Sequence, residues 1–264
     1  MAGASSAGGG GVSGSSGSQG GVAGIGGIAG TGGTAGSSAG ASGTGGTGGT
    51  VVAFPAPHPP APAFINVGGA VLGSPKVVPV FFTPEESESS VAAITEVLEA
   101  YVTSATFGAV TAEYGVGAAT VTPPVKYPHM PMATEDVASV GAWLQGKLNG
   151  NDALLPTAEP GSLYVLYYPA STSLSVGGLD ACLANGATHG SVALDVAHGN
   201  ANVAFAIVPR CASFAGLTGL DAISVESTGA VSDAVVNPYP EPAPAYYSFD
   251  NEHFYWSAVA AGEI

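Results

Sequence analysis

The chain has 264 residues, and nineteen acidic residues against four basic ones give it a formal net charge of -15. This charge repels phosphate backbones and anionic membrane surfaces, so nucleic acid is not an expected partner. No run of eighteen apolar residues occurs, and we therefore expect no membrane insertion. The scarcity of Lys and Arg is typical of exported proteins and favours an extracellular or cell-envelope location.

Residues 1–50 consist almost entirely of Gly, Ser, Ala and Thr, in approximate repeats such as "GTGGTAGSSAG". Such a segment cannot bury enough apolar surface to offset the entropy lost on ordering, so we predict a disordered low-complexity tail. Self-association through this tail and a glycosylated stalk stay open as alternatives. Residues 51–63, "VVAFPAPHPPAPA", are predicted to form an extended linker in which His58 is solvated.

The remaining residues, 64–264, are predicted to form one globular domain. The apolar run "KVVPVFF" indicates a buried strand over 76–82. A helix should follow, with Thr83 as its N-cap and Pro84 at its first helical position. Its apolar positions recur at helical spacing, at Val91, Ile94, Val97, Leu98 and Tyr101.

A second helix is predicted with Thr134 as its N-cap and Gly150 at its end. Its inward-facing residues are Val137, Val140, Trp143, Leu144 and Leu148. Three strands are expected next, in "SLYVLYYP" (162–169), "GSVALDVA" (190–197) and "NVAFAIVP" (202–209), the last two separated by a turn at 198–200.

The segment after Arg210 is predicted to contain a further helix. Its apolar residues Leu217, Leu220, Ile223, Val231 and Val235 favour helical structure despite several glycines. Together these elements predict an α/β (α+β) fold, with helices packed on a mixed β-sheet.

Cys182 and Cys211 are the two cysteines of the chain. In an exported protein they would form a disulfide closing a loop of about thirty residues. Two free structural thiols are the alternative, and a metal pair is disfavoured because the thiols lack the spacing of a zinc site.

Six stretches, taken in order, resemble the secreted Exordium-like (phosphate-induced) proteins and their bacterial relatives. They are "INVGGAVLGSPKVVPVFF", "EYGVG", "LYVLYYPASTSLSVGGLDACLANGATHG", "AFAIVPRC", "NPYP" and "GEI". The resemblance spans 64–264 and implies a single zincin-like domain. It matches His189 to a His-Gly of the family. We expect a structural role for His189, and a binding role is the alternative.

In the bacterial relatives, a His-Glu-x-x-Glu signature precedes an Asp-Pro or Asn-Pro turn on a helix, as in zinc peptidases. Residues four apart share one helical face, so such a helix can direct two ligands at one ion. Aligned on "NPYP", this chain has Gly229 at the His, Ala230 at the Glu and Asp233 at the later Glu, with Asn237 in the turn. The resemblance therefore implies a degenerate site without cofactor.

A substitute zinc site built from Asp233, His253 and Glu263 is the alternative, and would make the protein a metal-dependent hydrolase. The leading expectation is a secreted or cell-surface protein with a non-catalytic binding or structural role, whose partner is a cell-wall carbohydrate or another protein. A self-assembling extracellular filament or matrix subunit is the third hypothesis.

Overall fold

The computed structural model describes residues 65–183, 186–241 and 243–247. Its helices are α1 (Glu88–Val102), α2 (Ala105–Thr111), α3 (Val137–Asn149) and α4 (Gly219–Val236), with short 3-10 helices at Ala112–Tyr114 and Val196–His198. The tail and linker predicted for 1–50 and 51–63 lie outside the described residues.

The strands of the described residues vary from two to eight residues in length. In chain order they are β1 (Ile65–Asn66), β2 (Lys76–Phe82), β3 (Thr120–Val121), β4 (Val125–Tyr127), β5 (Thr134–Asp136), β6 (Ser162–Tyr168), β7 (Ser173–Val176), β8 (Leu179–Asp180), β9 (Thr188–Ala193), β10 (Asn202–Pro209), β11 (Ser213–Phe214), β12 (Leu217–Thr218) and β13 (Tyr246–Tyr247).

A six-stranded sheet with the order β3-β2-β6-β10-β9 forms the centre of the fold, and β4 pairs with β2 beyond β3. All pairs in this sheet are parallel except β9, which runs antiparallel to β10. The fold is therefore mixed α/β, as the sequence predicts. Smaller sheets pair β5 with β7 and β8, β11 with β12, and β1 with β13.

Both faces of the central sheet are covered, because successive residues of a strand point to opposite faces. On one face, Val77 and Phe81 of β2 join a core with Leu98 of α1, Phe107 of α2 and Val231 of α4. The opposite face packs against α3, and its core includes Val78, Phe82, Leu144, Leu166 and Phe205. The result is a sheet between two helical layers.

The predicted starts of the first two long helices are wrong. Thr83 is bonded through its amide to the carbonyl of Tyr127, at 3.0 Å, and the helix begins only after Ser87, which accepts from the Ser90 amide. Thr134 lies in β5, and the capping residue is Asp136, whose side chain accepts from the Ser139 amide at 2.7 Å. In both cases the residue predicted as the cap instead pairs through its backbone with a distant segment of the chain.

The last helix is confirmed over a shorter range than its apolar residues suggest. Ile223, Val231 and Val235 are buried on α4. Leu217 instead belongs to β12, and Leu220 at the start of the helix is 42% exposed. The helix ends at Asn237, directly before Pro238, at the turn that the sequence indicates.

The predicted disulfide is confirmed: Cys182 and Cys211 are bonded, with their Cα atoms 5.4 Å apart. It ties the loop after β8 to the residue that follows β10 by two positions. A disulfide fits an extracellular protein. Within the described ranges, no helix is long and apolar enough to cross a membrane.

Removing this disulfide should destabilise the domain. The bond joins residues 29 positions apart, and the loss of that constraint on the unfolded chain predicts a fall of about 3.5 kcal/mol in the free energy of unfolding. Urea unfolding of the wild type with and without reductant measures it. The Cys182→Ser/Cys211→Ser variant is the control and should not respond to reductant; an unchanged midpoint for the reduced wild type would contradict the prediction.

Candidate functional site

Asn237 joins three separate segments at the end of α4. Its amide donates to the carbonyl of Asp233 at 2.8 Å, which closes the helix. Its side-chain Oδ1 accepts from the amide of Ala245 at 2.7 Å, and its carbonyl oxygen accepts from Nε2 of His189 on β9 at 3.0 Å. This one residue therefore positions the helix end, the edge strand and the segment that carries β13.

A pocket of about 340 Å³ lies where these segments meet. The polar part of its lining includes His189, Ser232, Asp233 and Asn237, and Tyr114 and Tyr246 contribute aromatic rings. The two tyrosine rings meet edge to face, with their centroids 4.8 Å apart. Aromatic rings beside a carboxylate suit a ligand group with an apolar stem and a polar or cationic end.

The ionisable groups of the pocket influence each other. Burial lowers the pKa of His189, and the nearby Asp233 carboxylate partly opposes that shift. Desolvation raises the pKa of Asp233, and His189 acts in the opposite direction. Although Asp233 is exposed as a residue, its carboxyl is thus partly removed from water. The lowered pKa of His189 favours the uncharged imidazole at neutral pH, and Asp233 is the acidic residue of the lining.

Ser232 is fixed on the α4 side of the pocket. Its hydroxyl donates to the carbonyl of Thr228 at 2.8 Å and accepts from the Tyr101 hydroxyl of α1 at 2.5 Å. Because both interactions engage its oxygen, Ser232 is a structural part of the wall and is poorly suited to act as a nucleophile.

The two positions expected to lack metal ligands lie on different sides of α4. Gly229 is exposed, and a Cβ added there would meet no atom within 4 Å. Ala230 is only 4% exposed and packs in the core shared with α1. Neither residue lines the pocket, whereas Asp233 and Asn237 both do. The structure therefore brings together two of the four residues that the resemblance points to.

The alternative zinc site is not tested by this arrangement. His253 and Glu263 lie outside the described residues, so only the position of Asp233 is known. Among the residues that are described, no group of three or more His, Cys, Asp or Glu side chains is placed to hold a metal ion.

The edge strand β9 runs past the pocket with backbone groups directed outward. The amide of Leu194 donates to the carbonyl of Ala201, its direct partner in the hairpin with β10. In an antiparallel ladder, residue pairs alternate between hydrogen-bonded and non-hydrogen-bonded. The backbones of residues 192, 190 and 188 therefore also hydrogen-bond to β10. The amides and carbonyls of 189, 191 and 193 consequently point away from the sheet, and no described strand pairs with them.

A groove of about 570 Å³ follows this open edge, between α3 and Pro240–Glu241. The helix approaches closely because residue 141 is Gly: a Cβ there would come within 3.3 Å of the Val192 side chain. On the α3 side, Gln145 donates to the outward carbonyl of Ala193 at 2.5 Å. The outward backbone groups of His189 and Ser191 have no partner among the described strands, and His189 lines both the groove and the pocket.

Comparison with known proteins identifies no family for this chain. No family model matches it, and neither a curated protein nor a solved structure is significantly similar to it. The resemblance to Exordium-like proteins therefore stays a prediction based on the short motifs.

Several residues of the site are not among the candidates predicted from the sequence. They include Tyr246 and the outward edge of β9, and Tyr114 occurs only inside the motif "EYGVG". The conspicuous aromatic content of the C-terminal region is the signal that points toward Tyr246. His189 bonds the backbone of Asn237, in agreement with the expected structural role, and it also lines the pocket.

The imidazole of His189 should titrate below the ordinary pKa of 6.5, because it is buried. Replacing Asp233 by Asn removes the carboxylate that favours the imidazolium, so the pKa of His189 should fall further. NMR titration of the histidine ring protons measures both values, with His189→Gln assigning the resonance. Asp221→Asn, at an exposed position of the same helix, is the control and should leave the midpoint unchanged. A midpoint above 6.5, or no response to Asp233→Asn, would contradict this account of the pocket.

Proposed function

We propose that this protein binds an extended, basic polypeptide segment along the outer edge of β9 and does not cleave it. It acts as an exported or cell-surface binding protein on a degenerate, metallopeptidase-like scaffold. Two classes of partner are expected from the sequence, a cell-wall carbohydrate and another protein, and we propose the protein. The observation that carries it is the open edge of β9 at His189 and Ser191, beside a groove and a pocket.

Strand addition explains why a groove and an open edge occur together. An extended peptide gains affinity from main-chain hydrogen bonds to an exposed sheet edge, and specificity from pockets that take alternate side chains. At this edge the residues at 189 and 191 offer both amides and carbonyls. The groove beside them has a volume of about 570 Å³, and residues of α3 line one side of it.

The negative charge of the protein favours a basic peptide ligand over an acidic one. The chain carries a net charge of -15, and the pocket beside His189 is lined by Asp233 and by the tyrosines Tyr114 and Tyr246. A Lys or Arg side chain could place its methylene stem against Tyr114 or Tyr246 and its charge near Asp233. The neutral imidazole of His189 does not repel that charge at neutral pH, because its pKa is lowered.

The residues on α4 support binding without hydrolysis. Gly229 offers no ligand and Ala230 no general base, and the methyl group of Ala230 is turned into the core. A metal-activated water needs protein ligands and a proton acceptor held near it. Asp233 by itself supplies neither a complete ligand set nor the imidazole that the aligned family pattern has.

Ser191→Pro should weaken binding while leaving the fold intact. Proline removes the outward amide of residue 191, which makes no bond to β10, and proline is tolerated on edge strands where the amide faces away from the sheet. The loss of one hydrogen bond and the carbonyl left unpaired in the ligand predict about tenfold weaker binding. Isothermal titration with an acetylated, amidated hexapeptide of alternating Val and Lys measures it.

Ser191→Ala is the matched control, because it keeps the amide and should bind as the wild type does. A hexapeptide with Glu in place of Lys should bind weakly at low salt, and mass spectrometry should recover the Lys peptide intact after incubation. Equal affinity of the Ser191→Pro and wild-type proteins, with unchanged near-ultraviolet circular dichroism, would remove the edge-strand proposal. Cleavage of the peptide by the purified wild type would remove its non-catalytic part.

A further inference from the structure

The pocket beside His189 has an aromatic corner formed by Tyr114 and Tyr246. Their rings are nearly perpendicular, at 84°, with their centroids 4.8 Å apart. Val110 and Val236 add apolar surface to the lining, and Val110 is 46% exposed. A volume of about 340 Å³ is at the small end of the range for ligand pockets in proteins. The pocket therefore suits a compact ligand group that has apolar surface of its own.

Each ring of the corner is held by a different part of the fold. Tyr114 ends the 3-10 helix Ala112–Tyr114, which follows α2 directly, and its ring packs against the core. Tyr246 belongs to β13, which pairs with β1, and its hydroxyl accepts from Nδ2 of Asn66 at 3.3 Å. Both rings are therefore held by contacts within the protein, so binding does not have to order them.

Asp233 is the acidic residue of this pocket, and the basic residues of the chain are engaged elsewhere. The chain has four Lys and Arg residues. Each of them forms an ion pair with another acid: Lys76 with Glu159, Lys126 with Glu88, Lys147 with Asp152 and Arg210 with Glu86. Desolvation raises the pKa of Asp233, so its carboxyl group is partly removed from water. A cation from outside the chain would therefore find a carboxylate that no Lys or Arg side chain of the protein occupies.

The other polar groups of the lining are already bonded within the protein. The side-chain oxygen of Asn237 accepts from the amide of Ala245, and its carbonyl oxygen accepts from His189. The hydroxyl of Ser232 is bonded to the hydroxyl of Tyr101. A primary ammonium group carries three N–H donors, and each donor that loses water without gaining an acceptor costs free energy. The pocket therefore balances a positive charge better than it satisfies N–H donors.

A quaternary ammonium group avoids that cost because it has no N–H donor. Its methyl groups can contact the aromatic corner, where its positive charge is attracted by the negative faces of the tyrosine rings. The carboxylate of Asp233 attracts the same charge and does not need to accept a hydrogen bond from it. Aromatic rings and a carboxylate without a basic partner thus act together on a cation of this kind.

We propose that the pocket lined by Tyr114, Asp233 and Tyr246 binds a quaternary trimethylammonium group in preference to a primary ammonium group. The inference deepens the proposed function, and it rests on that function where a trimethyllysine side chain of the bound peptide carries the group. A free molecule such as choline carries the same group and is the other source. Choline does not need the β9 edge, so its binding reports on the pocket alone.

Three small molecules test the pocket by itself. Choline carries the trimethylammonium group, a matched alcohol carries a neutral tert-butyl group in its place, and ethanolamine carries a primary ammonium group. NMR titration of the full-length protein at neutral pH measures the three affinities. Choline should bind about tenfold more tightly than either of the others, because the alcohol lacks the charge and ethanolamine leaves N–H donors unpaired. Its methyl protons should shift upfield, since they lie over aromatic rings.

Removing either ring should weaken this binding. Tyr114→Leu and Tyr246→Leu each keep an apolar side chain and should each lower the affinity for choline about tenfold, and Tyr114→Phe should recover most of the loss. Asp233→Asn should also weaken choline binding. Asp221→Asn, at an exposed position of α4 outside the pocket lining, is its matched control and should bind choline as the wild type does. Near-ultraviolet circular dichroism identifies the folded variants.

The hexapeptide of alternating Val and Lys, with and without trimethylation of its lysines, separates the two sources. About tenfold tighter binding of the trimethylated peptide would show that the group is recognised on a peptide. If choline binds but trimethylation leaves peptide binding unchanged, the source is a free molecule. If choline binds and neither peptide does, the edge-strand proposal fails and the pocket proposal stands.

Two results would overturn the pocket proposal. One is that choline binds the wild type no more tightly than the neutral alcohol or ethanolamine does. The other is that a folded Tyr114→Leu or Tyr246→Leu variant keeps the wild-type affinity for choline. Using two separate ring deletions guards against one variant that fails to fold, and the comparison of the three ligands on the wild type needs no variant.

Discussion

The hydrogen bond from the His189 imidazole to the carbonyl of Asn237 ties the edge of the sheet to the end of α4. β9 is also held by its pairing with β10 and by α3, whose Gln145 bonds the carbonyl of Ala193. The same asparagine holds the amide of Ala245, which brings Tyr246 to the pocket. The site therefore depends on a capping residue that bonds a backbone carbonyl of α4, the backbone amide of Ala245 and the side chain of His189.

The periodicity of α4 explains which of its residues take part. Asn237 and Asp233 are four residues apart and so share one face of the helix, which meets β9. Glu226 lies seven residues before Asp233, two turns away on nearly the same face, and it is buried. Ala230 lies between them and packs in the core. One helical stripe thus carries a partly desolvated carboxyl at one end and, at the other, a buried carboxyl without a hydrogen-bond partner among the described residues.

The sequence predicts well those elements whose residues are fixed by burial alone. Strands β2, β6 and β10 are recognisable as apolar runs because both of their faces are covered, and the interiors of α1 and α3 follow from helical spacing. Thr83 and Thr134 fail as caps because each makes tertiary backbone contacts that no local pattern reveals. Helix boundaries depend on these contacts, and helix interiors do not.

The site could be predicted only in part, for a related reason. Asp233 and Asn237 follow from an aligned motif, but His189, Tyr114 and Tyr246 come from segments that only the tertiary fold brings together. Glu226 has the appearance of an ordinary solvated acid in the sequence, because its burial depends on tertiary packing. The register of the β9–β10 hairpin decides which amides of β9 point outward, and that register cannot be determined from the sequence.

We propose that α4 forms the wall of a binding pocket and holds no metal ion, and zinc affinity tests this most directly. Purified full-length protein, dialysed against zinc and then against buffer with a weak chelator, can be analysed for metal by mass spectrometry. We predict no stoichiometric zinc in the wild type and no difference in Asp233→Asn. One equivalent of zinc retained by the wild type and lost in Asp233→Asn would contradict the account.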